Sequence, residues 1–289
     1  MSQSVNYLVS GNPHLPYLVV SLYTLRRYWG GKINVFAWPE SFDLVETICS
    51  DDRIGATAVE RVPEYRGKNS QFFDKIRLMR SLDEDYSSHL YLDADTKVCG
   101  KINELLDRAQ TASFCATQFC NWRSNSGAPK NRIMKLIGRK PIDQTSVDLL
   151  LKYPMSSLNG GVFACKARSP VLKVWEEWTG AVLDLFIADE TVLHAVQVEF
   201  ATTGEFDVAV GGKWNCSPKY KPEYLHDDDV VIWHNHGDGC CRPQKTQKGY
   251  DQWWPTYKRC LAHNIGHIQD WIKTINNKHL SSCSGWDQW

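Results

Sequence analysis

His89-Leu90-Tyr91-Leu92-Asp93-Ala94-Asp95-Thr96-Lys97 is the stretch of this sequence that best indicates the fold. Its first residues form a short apolar run, which predicts a buried strand. Asp93 and Asp95 follow directly, and side chains two residues apart on an extended chain point to the same side. Two close carboxylates need a cation or a shared proton. Hard oxygen ligands favour Mg2+ or Mn2+, which keep sites free for water and substrate phosphate; the alternative is a solvated strand exit.

Strands and helices alternate in the first part of the chain. The predicted strands cover Val5–Val9, Ile33–Ala37, Ala56–Val62 and His89–Leu92. The predicted helices between them cover Leu18–Trp29, Phe42–Cys49 and Phe72–Leu82. This alternation predicts an α/β fold with a mostly parallel central sheet flanked by helices. Ligands of such sheets bind outside the carboxyl ends of the strands, which is where Asp93 and Asp95 fall.

Three later stretches place polar residues at the ends of predicted elements. Asn159-Gly160-Gly161 leads into a strand, where glycines allow either a close backbone approach to a ligand or a tight turn. Asp189-Glu190 opens a helix, and acidic residues there either cap the helix or face a site. Val230–Trp233 predicts a buried strand that ends at His234, and imidazole is a common metal ligand. The Trp-rich remainder, Tyr250–Trp289, predicts a helical tail.

Composition is that of an ordinary soluble globular protein, with 43% hydrophobic and 23% charged residues among 289. Lys and Arg total 33 and Asp and Glu total 33, which argues against a partner recognised by bulk charge. The 10 cysteines lack C-x-x-C spacing. Without a signal peptide at Met1–Ser10 or an apolar run of transmembrane length, a reduced, cytoplasmic setting is expected, the host cytoplasm for a viral protein. We expect one domain over residues 1–289.

The most basic stretch runs from Asn121 to Lys140. A charge run of this kind is usually a solvated loop or helix face. It can also bind the phosphates of an acceptor or of a nucleic acid. Trp122 lies beside it and could stack on a base. The candidate acceptor contacts are therefore Trp122, Lys130, Arg132 and Lys135.

Taken together, these motifs resemble a GT-A glycosyltransferase, closest in pattern to the retaining, family 8-like enzymes of the glycogenin and galactosyltransferase type. The resemblance runs from Val5 to about Pro243. In that family the second aspartate of a D-x-D motif holds Mn2+ between the two phosphates of a nucleotide-sugar, and Asp93-Ala94-Asp95 matches the motif. The third ligand is a histidine in an H-F-x-G pattern, which His234-Asn235-His236-Gly237 matches with Asn in place of Phe.

The resemblance also implies the remaining site residues. The family's sugar-pocket N-x-G and its D-[EQ] pair correspond to Asn159-Gly160-Gly161 and Asp189-Glu190, so Asp189, Glu190 and Asn159 are the expected catalytic residues. A helix with basic residues precedes the D-x-D motif. The family's lysine after the metal-binding histidine is absent at Cys240. The expected donor-binding residues are Ser10, Gly11, Asn12, Lys75, Arg77, Asp93, Ala94, Asp95, Asn159, Gly160, Gly161, Gly237, Arg242 and Lys245, of which Arg242 or Lys245 could substitute for the missing lysine.

These matches imply a metal-dependent hexosyl- or pentosyltransferase that is retaining rather than inverting. Its cofactor would be Mn2+ or Mg2+, and its donor a nucleotide-sugar, with a UDP-sugar as the first candidate. The acceptor hydroxyl would belong to a hydroxymethylated DNA base, as in phage-type enzymes, or to a protein or glycan. The metal ligands would be Asp93, Asp95 and His234. The predicted chain has a nucleotide-binding half at about 1–110, an acceptor and sugar half at about 111–245 and a tail at about 246–289.

Two other functions remain open from the sequence. D-x-D-x-T after a buried strand is also the nucleophile motif of haloacid dehalogenase-type phosphatases, in which Asp93 would be the nucleophile. That family normally carries the motif on the first strand of its core, whereas about four alternating elements precede it here. A non-catalytic module could instead bind structural zinc, although adjacent cysteines lack the usual spacing. The candidate zinc ligands are His226, His234, His236, Cys240 and Cys241.

Overall fold

The computed structural model describes residues 2–82, 84–119, 134–136, 138–139, 157–185, 188–235, 247–273 and 275. The strands are β1 (Gln3–Val9), β2 (Lys32–Ala37), β3 (Thr57–Glu60), β4 (Ser88–Leu92), β5 (Thr96–Val98), β6 (Phe114–Gln118), β7 (Leu158–Cys165), β8 (Phe206–Ala209) and β9 (Ile232–His234). The helices are α1 (Leu15–Arg26), α2 (Pro39–Cys49), α3 (Ser70–Arg80), α4 (Asn103–Ala112), α5 (Pro170–Gly180), α6 (Ala188–Glu199), α7 (Gln247–Ala262) and α8 (Ile268–Trp271). Within these residues no helix is long and apolar enough to cross a membrane.

A seven-stranded sheet in the order β3-β2-β1-β4-β7-β6-β8 forms the centre of the fold. Its pairs include parallel β2–β3, with Asn34 opposite Thr57, and parallel β6–β8, with Phe114 opposite Phe206. The pair β6–β7 is antiparallel. A separate two-stranded sheet pairs β5 with β9. The predicted α/β fold with a mostly parallel, helix-flanked sheet is confirmed.

Elements with long apolar runs were easier to predict than short or mixed ones. The predicted strands and helices of the first part are all present, although α1 begins at Leu15 rather than Leu18. Pro16 falls in the first turn of α1, where its missing N–H costs no helical hydrogen bond. Among the elements that the sequence did not predict are two short strands, β5 and β8, and a largely polar helix, α4.

The chain divides into two compact units, each built from several segments. Unit 1 comprises Met1–Ser4, Pro63–Tyr91 and Asn103–Asn215. Unit 2 comprises Val5–Val62, Leu92–Ile102 and Cys216–Trp289. The single-domain organisation, with its two halves and a tail, stays a prediction.

An aromatic cluster forms the core of unit 1 next to its polar residues. The Phe163 ring lies 5.2 Å from the Tyr91 ring and 5.1 Å from the Trp175 ring, measured between centroids. Trp175 is fully buried, and its indole Nε1 donates a hydrogen bond of 2.8 Å to the carbonyl of Asp189. The core therefore holds the first turn of α6, because a buried indole N–H needs an acceptor.

Helix α1 forms the core of unit 2. Ten of its twelve residues are buried, a pattern typical of a central helix rather than an amphipathic surface helix. Helix α7 packs against it, with the Trp253 ring 6.4 Å from the Tyr17 ring. The predicted helical tail is thus present from Gln247 to Ala262, and residues 276–289 lie outside the described residues.

The cysteines of the described part are free thiols, namely Cys49, Cys99, Cys115, Cys165, Cys216 and Cys260. Burial raises the pKa of Cys49, Cys115 and Cys260 to about 12. These thiols therefore stay protonated and unreactive at neutral pH. The predicted reduced, cytoplasmic setting stays a prediction.

Candidate metal centre and polar cluster

Three potential metal ligands of unit 2 lie together where β4 and β9 end. One ligand atom from each of Asp93, Asp95 and His234 lies within 4.8 Å of the others. His234 Nε2 is 3.2 Å from Asp95 Oδ1 and 3.6 Å from Asp93 Oδ2. The antiparallel pair β5–β9 explains this proximity, because it places Thr96, the residue after Asp95, opposite His234. We call these three residues the metal cluster.

The charges of the metal cluster suit a divalent cation. The His234 side chain is 4% exposed, whereas Asp93 and Asp95 are 29% and 25% exposed, so the carboxylates face solvent. Burial alone would raise the pKa of Asp95, but the charge and hydrogen bond of His234, with a smaller contribution from His14, hold this pKa below its ordinary value. Two carboxylates and one imidazole are hard to borderline donors that fit Mn2+. The residues therefore fit the predicted ion, and its binding stays a prediction.

A second group of polar residues, which we call the polar cluster, lies in unit 1. Lys75 of α3 and Asp189 of α6 form an ion pair with Nζ 2.6 Å from Oδ2, and their side chains are 4% and 1% exposed. The ammonium also lies 5.3 Å from the centroid of the Phe72 ring, within cation–π range. Asp189 Oδ1 is buried and has no hydrogen-bond partner among the described residues. The pair thus balances its charge internally and leaves one acceptor oxygen.

Asn159 extends the polar cluster along β7. Its Nδ2 donates a hydrogen bond to Glu190 Oε1. Its Oδ1 accepts hydrogen bonds from the Gly161 N–H at 2.8 Å and from Asn215 Nδ2 at 3.2 Å. Asn215 also donates to Thr117 Oγ1 at 3.0 Å. The amide of Asn159 is therefore held in one orientation, with Glu190 fixed beside it.

Gly160 is required by the close approach of β7 to the ion pair. A Cβ at this position would lie 2.8 Å from Asp189 Oδ2 and 2.9 Å from Lys75 Nζ. Both distances are shorter than a van der Waals contact, and both charged groups are buried. The sequence left open either a close backbone approach to a ligand or a tight turn at these glycines. In the structure Gly160 lies within β7, and its backbone closely approaches a buried ion pair.

His194 is a residue of the polar cluster that the sequence did not single out. It is fully buried, and its Nδ1 lies 2.6 Å from the carbonyl of Glu190 while its Nε2 accepts from the Leu158 N–H at 3.1 Å. Because Nε2 accepts, Nδ1 must carry the proton. His194 therefore joins α6 to β7 next to Asn159. Its partners are backbone groups of Glu190 and Leu158, so no local side-chain pattern in the sequence indicates its role.

The other predicted site residues belong to neither the metal cluster nor the polar cluster. Arg77 forms ion pairs with Glu64 at 2.5 Å and with Glu176 at 3.3 Å. Ser10, Gly11 and Asn12 form the turn after β1, and Asn12 Oδ1 is buried without a partner among the described residues. Lys135 and His226 are exposed. Outside the described residues lie Trp122, Lys130, Arg132, His236, Gly237, Cys240, Cys241, Arg242 and Lys245.

Comparison with known proteins identifies similar solved structures. No protein-family model matches the sequence, and no curated protein matches it. The galactosyltransferase LgtC, solved with donor and acceptor sugar analogues, is 15% identical, with 89% of this chain and 95% of that chain covered and a TM-score of 0.61. Mouse xyloside xylosyltransferase 1 is 14% identical, with 82% and 98% covered and a TM-score of 0.55. The glycosyltransferase GlyE of Streptococcus pneumoniae TIGR4 is 12% identical, with 92% and 64% covered and a TM-score of 0.56.

The likeness to these structures concerns the fold. At 12% to 15% identity it shows that this chain has the GT-A fold that the sequence predicted. A shared fold hosts different activities, so function has to be argued from the residues of the chain itself.

Proposed function

We propose that this GT-A-fold chain is a metal-dependent glycosyltransferase, which moves a sugar from a nucleotide-sugar to an acceptor hydroxyl. The observation that carries the proposal is the metal cluster, in which Asp93, Asp95 and His234 bring their ligand atoms within 4.8 Å of one another. The fold places this cluster after a central strand, at the end where α/β sheets bind ligands. The similar structures named above are glycosyltransferases, which supports the proposal through the fold.

Asp93, Asp95 and His234 would hold a divalent ion, Mn2+ or Mg2+. Such an ion supplies Lewis-acid stabilisation of a departing diphosphate. The buried imidazole would give one nitrogen donor and the partly exposed carboxylates oxygen donors, which would leave the solvent side for phosphate oxygens. A nucleoside diphosphate leaving group is therefore the proposed partner of this cluster, with UDP as the first candidate.

The polar cluster offers partners for sugar hydroxyls. Asp189 Oδ1 is buried without a donor among the residues that the structure describes, and an unsatisfied buried acceptor is costly. A sugar hydroxyl would satisfy it. Asn159 and Glu190 add an amide and a second carboxylate that are already fixed in orientation.

The ion pair of Asp189 also bears on the stereochemistry that we propose. An inverting enzyme needs a general base near the acceptor hydroxyl. The carboxylate of Asp189 is already engaged in a buried ion pair, with Lys75 Nζ 2.6 Å from its Oδ2. Our proposal therefore gives Asp189 no role as a general base, and it keeps the retaining reaction that the family resemblance implies, with Glu190 and Asn159, joined by a hydrogen bond, beside the reacting sugar.

The phosphatase alternative gains no support from the residues. Asp93 follows the fourth strand of the chain, whereas that class carries its nucleophile on the first strand of its core. His234 Nε2 lies 3.6 Å from the carboxylate of Asp93, where it would complete the proposed metal-ligand set. The acceptor proposals stay those of the sequence, with exposed Lys135 one of the basic candidates.

The test is donor hydrolysis without an acceptor. Wild type, Asp95→Asn and the exposed control Asp52→Asn would each be incubated with Mn2+ and a panel of nucleotide-sugars, and release of nucleoside diphosphate would be measured. We expect release from one donor by wild type and Asp52→Asn, and a loss of at least about a hundredfold in Asp95→Asn, because removing a charged ligand costs several kcal/mol. Activity that is equal in all three proteins, or absent with every donor, would contradict the proposal.

A further inference from the structure

We infer that a polar stripe on α1 positions the metal cluster, an inference that rests on the proposed function and deepens it. The stripe consists of Tyr17, Ser21 and Thr24, which are 1%, 0% and 2% exposed. They follow the spacing i, i+4 and i+7, so they share one face of the helix. The other buried residues of α1 are almost all apolar, and polar groups in such a core need partners. Tyr17 and Ser21 have partners directly next to metal-cluster residues, and Thr24 has its partner in β5.

Ser21 belongs to a chain of hydroxyl groups that begins at Tyr7 and ends at the backbone carbonyl of Asp93. Thr96 Oγ1 donates to the Asp93 carbonyl at 2.8 Å. Each hydroxyl has one proton, so Thr96 must accept from Ser21 Oγ at 2.8 Å, and Ser21 must accept from the Tyr7 hydroxyl at 3.0 Å. The direction of every hydrogen bond is therefore determined. The chain fixes the backbone of the segment that carries both aspartates.

Tyr17 reaches the other side of the metal cluster through Asn235. Asn235 Nδ2 donates to the Tyr17 hydroxyl at 3.0 Å, and the Asn235 backbone N–H donates to the Asp95 carbonyl at 3.0 Å. Asn235 directly follows His234, so it ties the histidine to the second aspartate. It also occupies the position at which the sequence departs from H-F-x-G, and a phenylalanine could not donate to Tyr17.

Thr24 completes the stripe at β5. Its Oγ1 accepts from the Val98 N–H at 3.1 Å. Because β5 pairs with β9 and places Thr96 opposite His234, this bond holds the strand that brings aspartate and histidine together. The stripe thus contacts both segments that carry metal ligands.

This arrangement has a direct consequence for metal binding. Ionised Asp93 and Asp95 repel each other until a cation binds, so the protein must hold them in place beforehand. Partners outside the ligand set orient the ligands, and their loss typically weakens metal binding by about 10- to 100-fold. We therefore expect weaker binding of the ion when a stripe residue loses its polar atom while the fold is kept.

Mn2+ titration followed by electron paramagnetic resonance tests the inference, with Mn2+ alone and with Mn2+ plus UDP. The variants are Tyr17→Phe and Asn235→Ser, which remove the same hydrogen bond from its two sides. Tyr23→Phe on the same helix is the control, because Tyr23 is not part of the stripe. We expect both variants to bind Mn2+ about tenfold more weakly than wild type, and the control to bind it with unchanged affinity. The melting temperatures of all three proteins should be close to that of wild type. A loss of affinity without a loss of stability distinguishes positioning from a general effect on folding.

The outcomes separate the inference from the proposed function. If wild type binds Mn2+, Asp95→Asn does not, and both Tyr17→Phe and Asn235→Ser bind it like wild type, the inference is wrong and the proposed function stands. If wild type binds no Mn2+ in either condition, both are wrong. If Tyr17→Phe unfolds, Asn235→Ser decides, since it leaves the core ring of Tyr17 in place.

Discussion

The metal cluster of unit 2 and the polar cluster of unit 1 both contain carboxylates, but they balance charge in opposite ways. Asp189 is 1% exposed and pairs with the ammonium of Lys75 at 2.6 Å. Asp93 and Asp95 are 29% and 25% exposed and face an imidazole at 3.6 and 3.2 Å. A buried charge needs a partner inside the protein, whereas a partly exposed pair can take its cation from solvent. We therefore expect the metal cluster to take its counter-charge from a bound ion, whereas the polar cluster balances its charge within the protein.

Lys75→Met is expected to have the largest effect on the free energy of unfolding. If the variant were as stable as wild type, the contrast drawn between the two clusters would be wrong. The variant leaves Asp189 buried without its counter-charge, which typically costs about 3–5 kcal/mol of unfolding free energy. Urea denaturation at pH 7 measures it. The double variant Lys75→Met/Asp189→Leu removes both charges and should recover most of the loss. A single variant within about 1 kcal/mol of wild type would show that solvent or another group already balances Asp189.

The sequence predicted the metal cluster better than the polar cluster, for a physical reason. Asp93, Asp95 and His234 each follow a buried apolar run, so their position at strand ends can be predicted from local pattern. Their proximity depends on the pairing of β5 with β9, and β5 has only three residues, too few to show a periodic pattern. The fold could be predicted because it depends on alternating apolar segments, whereas this pairing could not.

The polar cluster depends on contacts between distant segments. The sequence identified Lys75, Asn159 and Asp189 separately, each by its place in a predicted element. Nothing local shows that Lys75 pairs with Asp189, or that Gly160 lies against both. His194 was missed because a histidine inside an apolar helix has no pattern that distinguishes a bridging residue from an ordinary core residue.

Mn2+ is expected to stabilise the protein through the metal cluster alone, an effect of intermediate size. An ion present at a hundredfold excess over its dissociation constant adds about 2.7 kcal/mol of unfolding free energy. Urea denaturation with and without Mn2+ measures the difference. Asp95→Asn should abolish it, and Gly160→Ala, which disturbs only the polar cluster, should retain it whatever its own stability. An equal response of Asp95→Asn and wild type would place the ion elsewhere.

Asp51 shows a third way in which a carboxylate is balanced, intermediate between those of the two clusters. We expect its substitution to have the smallest effect of the predictions made here. Its side chain is 3% exposed, yet its partner Arg53, at 2.5 Å, is 47% exposed. The Gly266 N–H also donates to it at 2.7 Å. Burial alone would raise the pKa of Asp51, but the hydrogen bonds from Arg53 and Gly266 and the charge of Arg53 lower it below its ordinary value. The carboxylate therefore stabilises the fold in its ionised form.

The sign of the pH dependence follows from that lowered pKa. The stabilisation is complete above the unfolded pKa of about 3.9 and is lost as the pH falls through the lower pKa of the folded protein. Asp51→Asn keeps an acceptor for Gly266, so we expect a loss of about 1 kcal/mol at pH 7, which shrinks as the pH falls below about 4. Urea denaturation across this range, with exposed Asp52→Asn as the control, measures it. A difference that is constant with pH would contradict this account, because it would mean that the ionisation of Asp51 does not contribute to stability.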